Sequence, residues 1–197
     1  MAYKYHSPLQ FFSVNMTHES ESSDSDKLTE LIRDAQDLNI EILKPDINLS
    51  GLKFTIEEKN IRFGLCGIKG LGDKAINEII PNRPAGGFKN LDDVAKLCHA
   101  SPFAGLLKSG ALDNLRFTVD AGDQSRKQKL DLFKKIKKSK AKVEIEGNAL
   151  EQEEEVLGLI INTRQFFDKY KKFYADYSQE VDDQAEKILK KFELFSF

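Results

Sequence analysis

The sequence predicts a mainly α-helical fold: a tandem pair of helix-hairpin-helix units, one small β-hairpin and flanking helices. Three observations lead there. Apolar residues recur at helical spacing in most segments, as in Leu28, Leu31, Ile32, Ala35 and Leu38. Ile68-Lys69-Gly70-Leu71-Gly72-Asp73-Lys74-Ala75 reads as a glycine-bounded bend opening onto a helix that carries Ile76, Ile79 and Ile80. Period-two alternation is clear only in Phe54-Thr55-Ile56 and Ile61-Arg62-Phe63, around Glu57 to Asn60, which makes a single β-hairpin.

Taken in order, Pro8 suits a first helical turn, with Leu9, Phe11 and Phe12 behind it. Residues 17–25 contain no apolar side chain and read as a loop. Asp26 can cap the next helix and Asn39 can end it in the left-handed region. Ile40 to Leu43 is short, apolar and β-branched, and Pro45 stops any regular ladder. Pro81, Pro84, Gly86 and Gly87 make a loop. Asn90 caps a helix from Leu91 to Cys98, with acids in its first turn. Ser101-Pro102 supplies a cap and first residue for a helix to Lys108, which Gly110 breaks before a further turn at Ala111 to Leu115. This second helix-glycine-helix lacks a G-x-G, so it serves packing more readily than phosphate binding. Residues 116–123 read as a linker, and Gln128 to Lys138 as a basic amphipathic helix with Leu132, Phe133 and Ile136 on one side. Phe166, Phe167, Tyr170, Phe173, Tyr174 and Tyr177 form a helical aromatic stripe, and Ala185 to Phe195 a last amphipathic helix. The division is therefore residues 1–50, 51–116, 117–155 and 156–197.

The chemistry concentrates in the bend. Gly70 and Gly72 let the backbone turn with φ > 0 and approach a ligand without a Cβ in the way. The amides that follow face outward at a helix start, where a phosphate is favoured. Lys69 and Lys74 add positive charge, and Leu71 lies between the glycines. Such a device holds a nucleic-acid backbone and reads no base.

Composition excludes other classes. At 40% hydrophobic and 31% charged, the chain can form a core but is not expected to pack throughout. No apolar run approaches the roughly 18–20 residues that span a bilayer, and the first residues do not form a signal peptide. A soluble, cytoplasmic protein without membrane partners is expected. Cys66 and Cys98 sit in apolar surroundings and are expected to be reduced and buried; His6, His18 and His99 lack paired spacing, so neither a metal nor a cofactor is expected. The net charge of −2 conceals segregation: residues 126–142 are basic, 143–155 acidic, and 17–26 acidic and serine-rich. The basic run could track a phosphate backbone.

Several strings, in order, resemble the bacterial replicative DNA polymerase III alpha subunit (family C). Tyr3-Lys4-Tyr5-His6-Ser7-Pro8-Leu9-Gln10-Phe11-Phe12 is similar to the K-x-H-x-P-x-x-F segment of its fingers. Ile40-Glu41-Ile42-Leu43-Lys44-Pro45-Asp46-Ile47-Asn48-Leu49-Ser50 resembles I-x-V-L-P-P-D-I-N-x-S, with Lys44 in place of a proline. Residues 61–75 resemble I-R-F-G-L-x-A-I-K-G-V-G-x-x-A, residues 107–113 resemble L-I-x-A-G-A-F-D, and residues 153–158 resemble E-x-E-x-L-G. The resemblance implies a piece covering the end of the fingers (1–50) and the tandem helix-hairpin-helix domain (51–116). Lys4 and His6 would then face DNA or nucleotide in the assembled enzyme, and Lys69, Gly70, Leu71, Gly72 and Lys74 would hold duplex phosphates. The family's palm precedes this region. Asp24-Ser25-Asp26 repeats the letters of its D-x-D in a polar loop, without the rigid apolar flanks that a two-metal site needs. No catalytic residue is expected, and the chain resembles one piece of a split polymerase, as a phage or an intron-interrupted gene would make.

The family also carries a peptide for the sliding clamp, roughly Q-L-[SD]-L-F. Gln128-Lys129-Leu130-Asp131-Leu132-Phe133 resembles it one residue out of register: Leu130, Leu132 and Phe133 would fill the clamp pocket and Gln128 would anchor it. The alternative is an amphipathic structural helix, which the short spacing from Asp113 favours. Two functions compete: a non-catalytic DNA-holding piece, and a protein-interaction fragment that completes a separately encoded polymerase half or docks on the clamp. A remnant without activity is a third reading.

Overall fold

The computed structural model describes residues 6–22, 25–119, 124–158 and 161. The predicted contact at Lys4, the aromatic stripe and the last helix lie outside the described residues. The mainly helical prediction holds: among the described residues there are seven α-helices and one three-stranded sheet. None of these helices is long and apolar enough to cross a membrane.

The first helix, α1 (Pro8–Ser22), opens on its proline, where a missing N–H costs nothing. It runs through residues 17–22, which the sequence suggested as loop. The reason is tertiary. Met16 is fully buried, and Thr17 Oγ1 donates to Ser13 O (2.8 Å) while accepting from Phe54 N (3.1 Å). Ser20 likewise donates back to Thr17 O at 2.8 Å. The polar stretch satisfies itself along the helix and is held by the residue that precedes β2. In α2 (Ser25–Asp37), Leu28, Ile32 and Ala35 face the core. Asp26 lies inside its first turn rather than at the cap. Asn39 ends it as expected at φ +59°, letting Ile40 N reach back to Ala35 O at 3.0 Å.

Strands β2 (Thr55–Glu57) and β3 (Asn60–Arg62) form the predicted hairpin, with Glu58 in the left-handed region of the turn at φ +57°. The segment before Pro45 joins it as β1 (Ile42–Leu43), parallel to β3, with Ile42 opposite Ile61. The order β1-β3-β2 puts buried Ile61 on the central strand. Arg62 ties the sheet's two sides: it donates to both Glu57 carboxylate oxygens at 2.8 Å and to Lys44 O at 2.8 Å. The first of these bonds holds the Glu57 carboxyl below its ordinary pKa.

Residues 45–51 clasp the helical units that follow. Ile47 N donates to Ala111 O at 3.0 Å. Asn48 brackets Phe88, accepting from its N at 2.8 Å and donating to its O at 3.1 Å. Buried Ser50 donates to Phe63 O at 2.8 Å. The next turn depends on two glycines for space. A Cβ at Gly64 would stand 2.5 Å from Lys53 C and 2.7 Å from Phe54 N, and one at Gly67 2.7 Å from the Phe63 ring. Gly64→Ala should therefore cost about 2–3 kcal/mol, read as a lower urea midpoint with an unchanged slope. A midpoint equal to wild type would show that the backbone gives way there.

Helix α3 (Asp73–Ile79) follows the bend, then α4 (Leu91–Leu97), whose cap Asn90 accepts from Asp93 N at 3.1 Å as predicted. Helix α5 (Ala100–Lys108) begins at Ala100 rather than after Ser101, with His99 at the cap and no side-chain bond there. Pro102 is thus its third residue, still among the N–H groups that have no helical partner. Residues 116–118 are no free linker. Arg116 O accepts from Leu91 N (2.9 Å), Phe117 is buried beside Phe103, and Thr118 N and Oγ1 both donate to Asp92 Oδ2 at 2.9 Å. Two capped helices close the described region: α6 (Arg126–Ile136), held by a reciprocal Ser125–Gln128 box, and α7 (Ala149–Leu157), held by Asn148 and Glu151. One hydrophobic core runs from Phe12 to Ile161.

Candidate nucleic-acid interface

The Gly70-Leu71-Gly72 bend is anchored from below and open above. Leu71 is buried, and Lys69 N donates to Val156 O at 2.8 Å. Gly105 on α5 packs so close that its Cβ would lie 3.2 Å from Lys69 O, so α5 supports the bend directly. Gly70 has φ +83° as expected, whereas Gly72 does not use the left-handed region expected of it and is extended with φ −73° and ψ 161°. A Cβ at either would meet nothing within 4 Å. Gly72 offers no side-chain cap. Among the described residues, the amides of Gly70, Gly72, Asp73 and Lys74 find no acceptor. Lys69 and Lys74 are exposed and make no ion pair there. Exposed Asp73 is the one acid in the first turn of α3. The structure thus brings together four of the residues singled out in the sequence (Lys69, Gly70, Gly72 and Lys74) and buries the fifth, Leu71, as the anchor. His6 is exposed.

The second hairpin differs in kind. Gly110 has φ +81°, but its space is filled: a Cβ there would stand 2.8 Å from Arg126 Nη2 and 3.1 Å from Asp113 Oδ2. Lys129, 3% exposed, donates to Leu112 O and Asp113 O at 3.1 Å each. This turn is closed by cations from α6, as its lack of a G-x-G suggested.

Around it lies a charge network that sequence reasoning missed. Arg126 Nε donates to Asp113 Oδ1 (2.8 Å), Nη2 to Glu153 Oε1 (3.0 Å) and Nη1 to Lys108 O (2.9 Å). Glu153, 1% exposed, also pairs with Lys44 Nζ at 2.8 Å. Burial works against the Arg126 charge, but Asp113 and Glu153 outweigh it and lift its pKa above the ordinary value. The network joins four separate segments, and runs of like charge along the chain gave no hint of it. Its position follows from the helix ends that meet there.

The clamp-like residues are engaged in the fold. Gln128 Oε1 accepts from Ser125 N at 2.8 Å in the capping box. Leu130 and Phe133 are 1% exposed, and Phe133 stacks on Phe103 with ring centroids 4.2 Å apart. Leu132 is half-buried. The arrangement is that of the amphipathic structural helix. Cys66 is only half-buried, 3.1 Å from Ser20 Oγ, whereas Cys98 is buried and its thiol is pushed up to about 12 by that burial. Burial likewise pushes the Cys66 thiol up.

The family model for the helix-hairpin-helix motif matches residues 39–128. Among relatives, the DNA polymerase III subunit alpha of Deinococcus radiodurans is 40% identical over 112 residues, covering 54% of this chain. That of Thermus aquaticus is 31% identical over 81% of this chain, and that of Aquifex aeolicus 33% identical over 93%. The matches span 8%, 15% and 16% of those relatives' own lengths. The family match covers the segment that carries the open bend. Residues 39–128 are accordingly a helix-hairpin-helix segment, and the chain is a relative of part of the DNA polymerase III alpha subunit.

Proposed function

We propose that this chain is a non-catalytic, DNA-binding piece of a cytoplasmic replicative polymerase, holding duplex phosphates without reading sequence. The open bend carries this reading: among the described residues, four amides without an acceptor and two lysines without an ion pair lie within six residues of one another, and a Cβ at Gly70 or Gly72 would meet nothing within 4 Å. Amides oriented in this way favour an anion and offer nothing to a base edge. Gly72 provides a clean test. Its φ suits any residue and its Cβ position is empty, so Gly72→Val leaves the fold intact while placing methyl groups where the phosphate would sit. Duplex affinity measured by fluorescence anisotropy should fall on the order of tenfold or more, from the loss of charge-assisted hydrogen bonds, with Tm unchanged. Equal affinity in Gly72→Val and wild type would defeat the proposal.

A second reading, a fragment that completes a separately encoded polymerase half, has one observation in its favour. Strand β2 is an edge strand exposed along its whole length, with Ile56 on it and Leu49 and Leu52 nearby in sequence also exposed. Co-expression with a palm-bearing chain separates the two readings. Co-purification with rescued synthesis supports the second, and its failure leaves the first. Docking on a clamp through Gln128, Leu130, Leu132 and Phe133 would require α6 to give up its cap and its core contacts.

A further inference from the structure

Six lysines fall within residues 134–142, and the way α6 ends sets their placement. Lys137 N donates to Phe133 O and Ser139 N to Lys134 O, each at 2.9 Å, while Lys138 takes the left-handed conformation at φ +48°. The chain then leaves the helix with exposure alternating residue by residue. Lys138, Lys140 and Lys142 are exposed; Ser139, Ala141 and Val143 are half-buried; Ile145 is buried. Ala141 and Val143 pack against the core and pin the segment by its inner row. The outer row is lysine, with alternate positions about 6.6 Å apart on an extended chain.

None of the six makes an ion pair or a side-chain hydrogen bond among the described residues. The negative end of α6 accounts for Lys134, Lys135 and Lys137, because a helix favours cations in its last turn. That effect dies within a turn and does not reach Lys140 or Lys142. Exposed Asp131 lies a turn earlier on α6, and the outer row changes sign at Glu144 and Glu146. The positive stretch is therefore bounded and continuous.

We propose that the end of α6 and residues 138–142 form a lysine ridge that contacts a nucleic-acid backbone, as a foothold additional to the Gly70–Gly72 bend. Only the identity of the polyanion rests on the function proposed above; the ridge uses none of the bend's residues. A duplex presents a charge about every 1.7 Å along its axis, so the lysines need no particular register, and ammonium groups carry no planar fork with which to read bases.

The test uses the full chain and a short labelled duplex, with affinity followed against salt. Each phosphate contact contributes roughly 0.9 to the slope of log K against log salt. K138Q/K140Q/K142Q should flatten the slope by about 2 to 3, with Tm unchanged, and K138R/K140R/K142R should keep it. K69A/K74A should remove up to about 2 independently. If the glutamine variant keeps the wild-type slope while K69A/K74A loses its share, the ridge is solvated surface and the proposal falls. If the glutamine variant alone flattens the slope, the ridge stands and the bend fails. Binding to poly-glutamate, in preference to duplex at equal charge, would make the partner an acidic protein and overturn the assignment.

Discussion

Replacing Arg126 by alanine should lower stability by about 3–5 kcal/mol, the usual cost of removing one partner from a buried ion pair. Loss of the guanidinium leaves Glu153, 1% exposed, with Lys44 as its remaining cation, and strips Asp113 and the Lys108 carbonyl of their donor. It also frees the space above Gly110 that Arg126 fills. For a chain of this length, thermal unfolding should shift by roughly 10 °C. Lysine would be a poor substitute, because a single ammonium cannot serve Asp113, Glu153 and a carbonyl in one plane. A cycle pairing Arg126→Ala with Glu153→Gln should recover part of the loss, since the double variant leaves no buried anion uncompensated. A shift below about 2 °C in the single variant would mean that solvent reaches the network freely.

Phe133→Ala should destabilise by a similar about 3–5 kcal/mol, through lost burial and the cavity left behind. Its ring stacks on Phe103 at an interplanar angle of 18° and lies in the same core as Phe117. The neighbouring Leu132 is half-buried and should cost clearly less on truncation. Chemical denaturation of the two variants decides between a core helix and a linear docking peptide. In the first case Phe133 dominates; in the second, both changes leave the midpoint where it was. The order of effects is thus a direct check on how α6 is used.

Local chemistry was legible in the sequence. The Gly70–Gly72 bend, the Asn90 cap, the Asn39 terminator, the Gly110 break and the hairpin around Glu58 each depend on residues within a few positions of one another, and each occurs where the residue types place it. Ser125 with Gln128, and Asn148 with Glu151, carry the three-residue spacing of a capping box. That spacing could have revealed Gln128 as the third-position partner of the Ser125 cap, although its neighbours invited comparison with a clamp peptide. What stayed hidden depends on distance along the chain. Residues 17–22 are polar and look like a loop until Phe54, just before β2, supplies a donor to Thr17. The β-branched residues of Ile40 to Leu43 showed their character, but the parallel partner β3 comes only after an intervening loop and strand β2. Lys129 and Glu153 lie in runs of like charge that read as surface, yet both are buried because helix ends meet over Gly110. The open bend belongs half to each class: its turn is local, but its exposure depends on α5 supporting it through Gly105.

The contrast between Gly64 and Gly72 has a consequence for how this sequence would drift. At Gly64 the backbone of Lys53 and Phe54 forbids any side chain, so folding alone retains the glycine. At Gly72 no atom of the described residues comes within 4 Å of an added Cβ. A copy released from duty would lose the second glycine freely while keeping the first. An outside occupant would make a substitution there harmful for a reason that folding does not supply, which turns position 72 into a gauge of continued use.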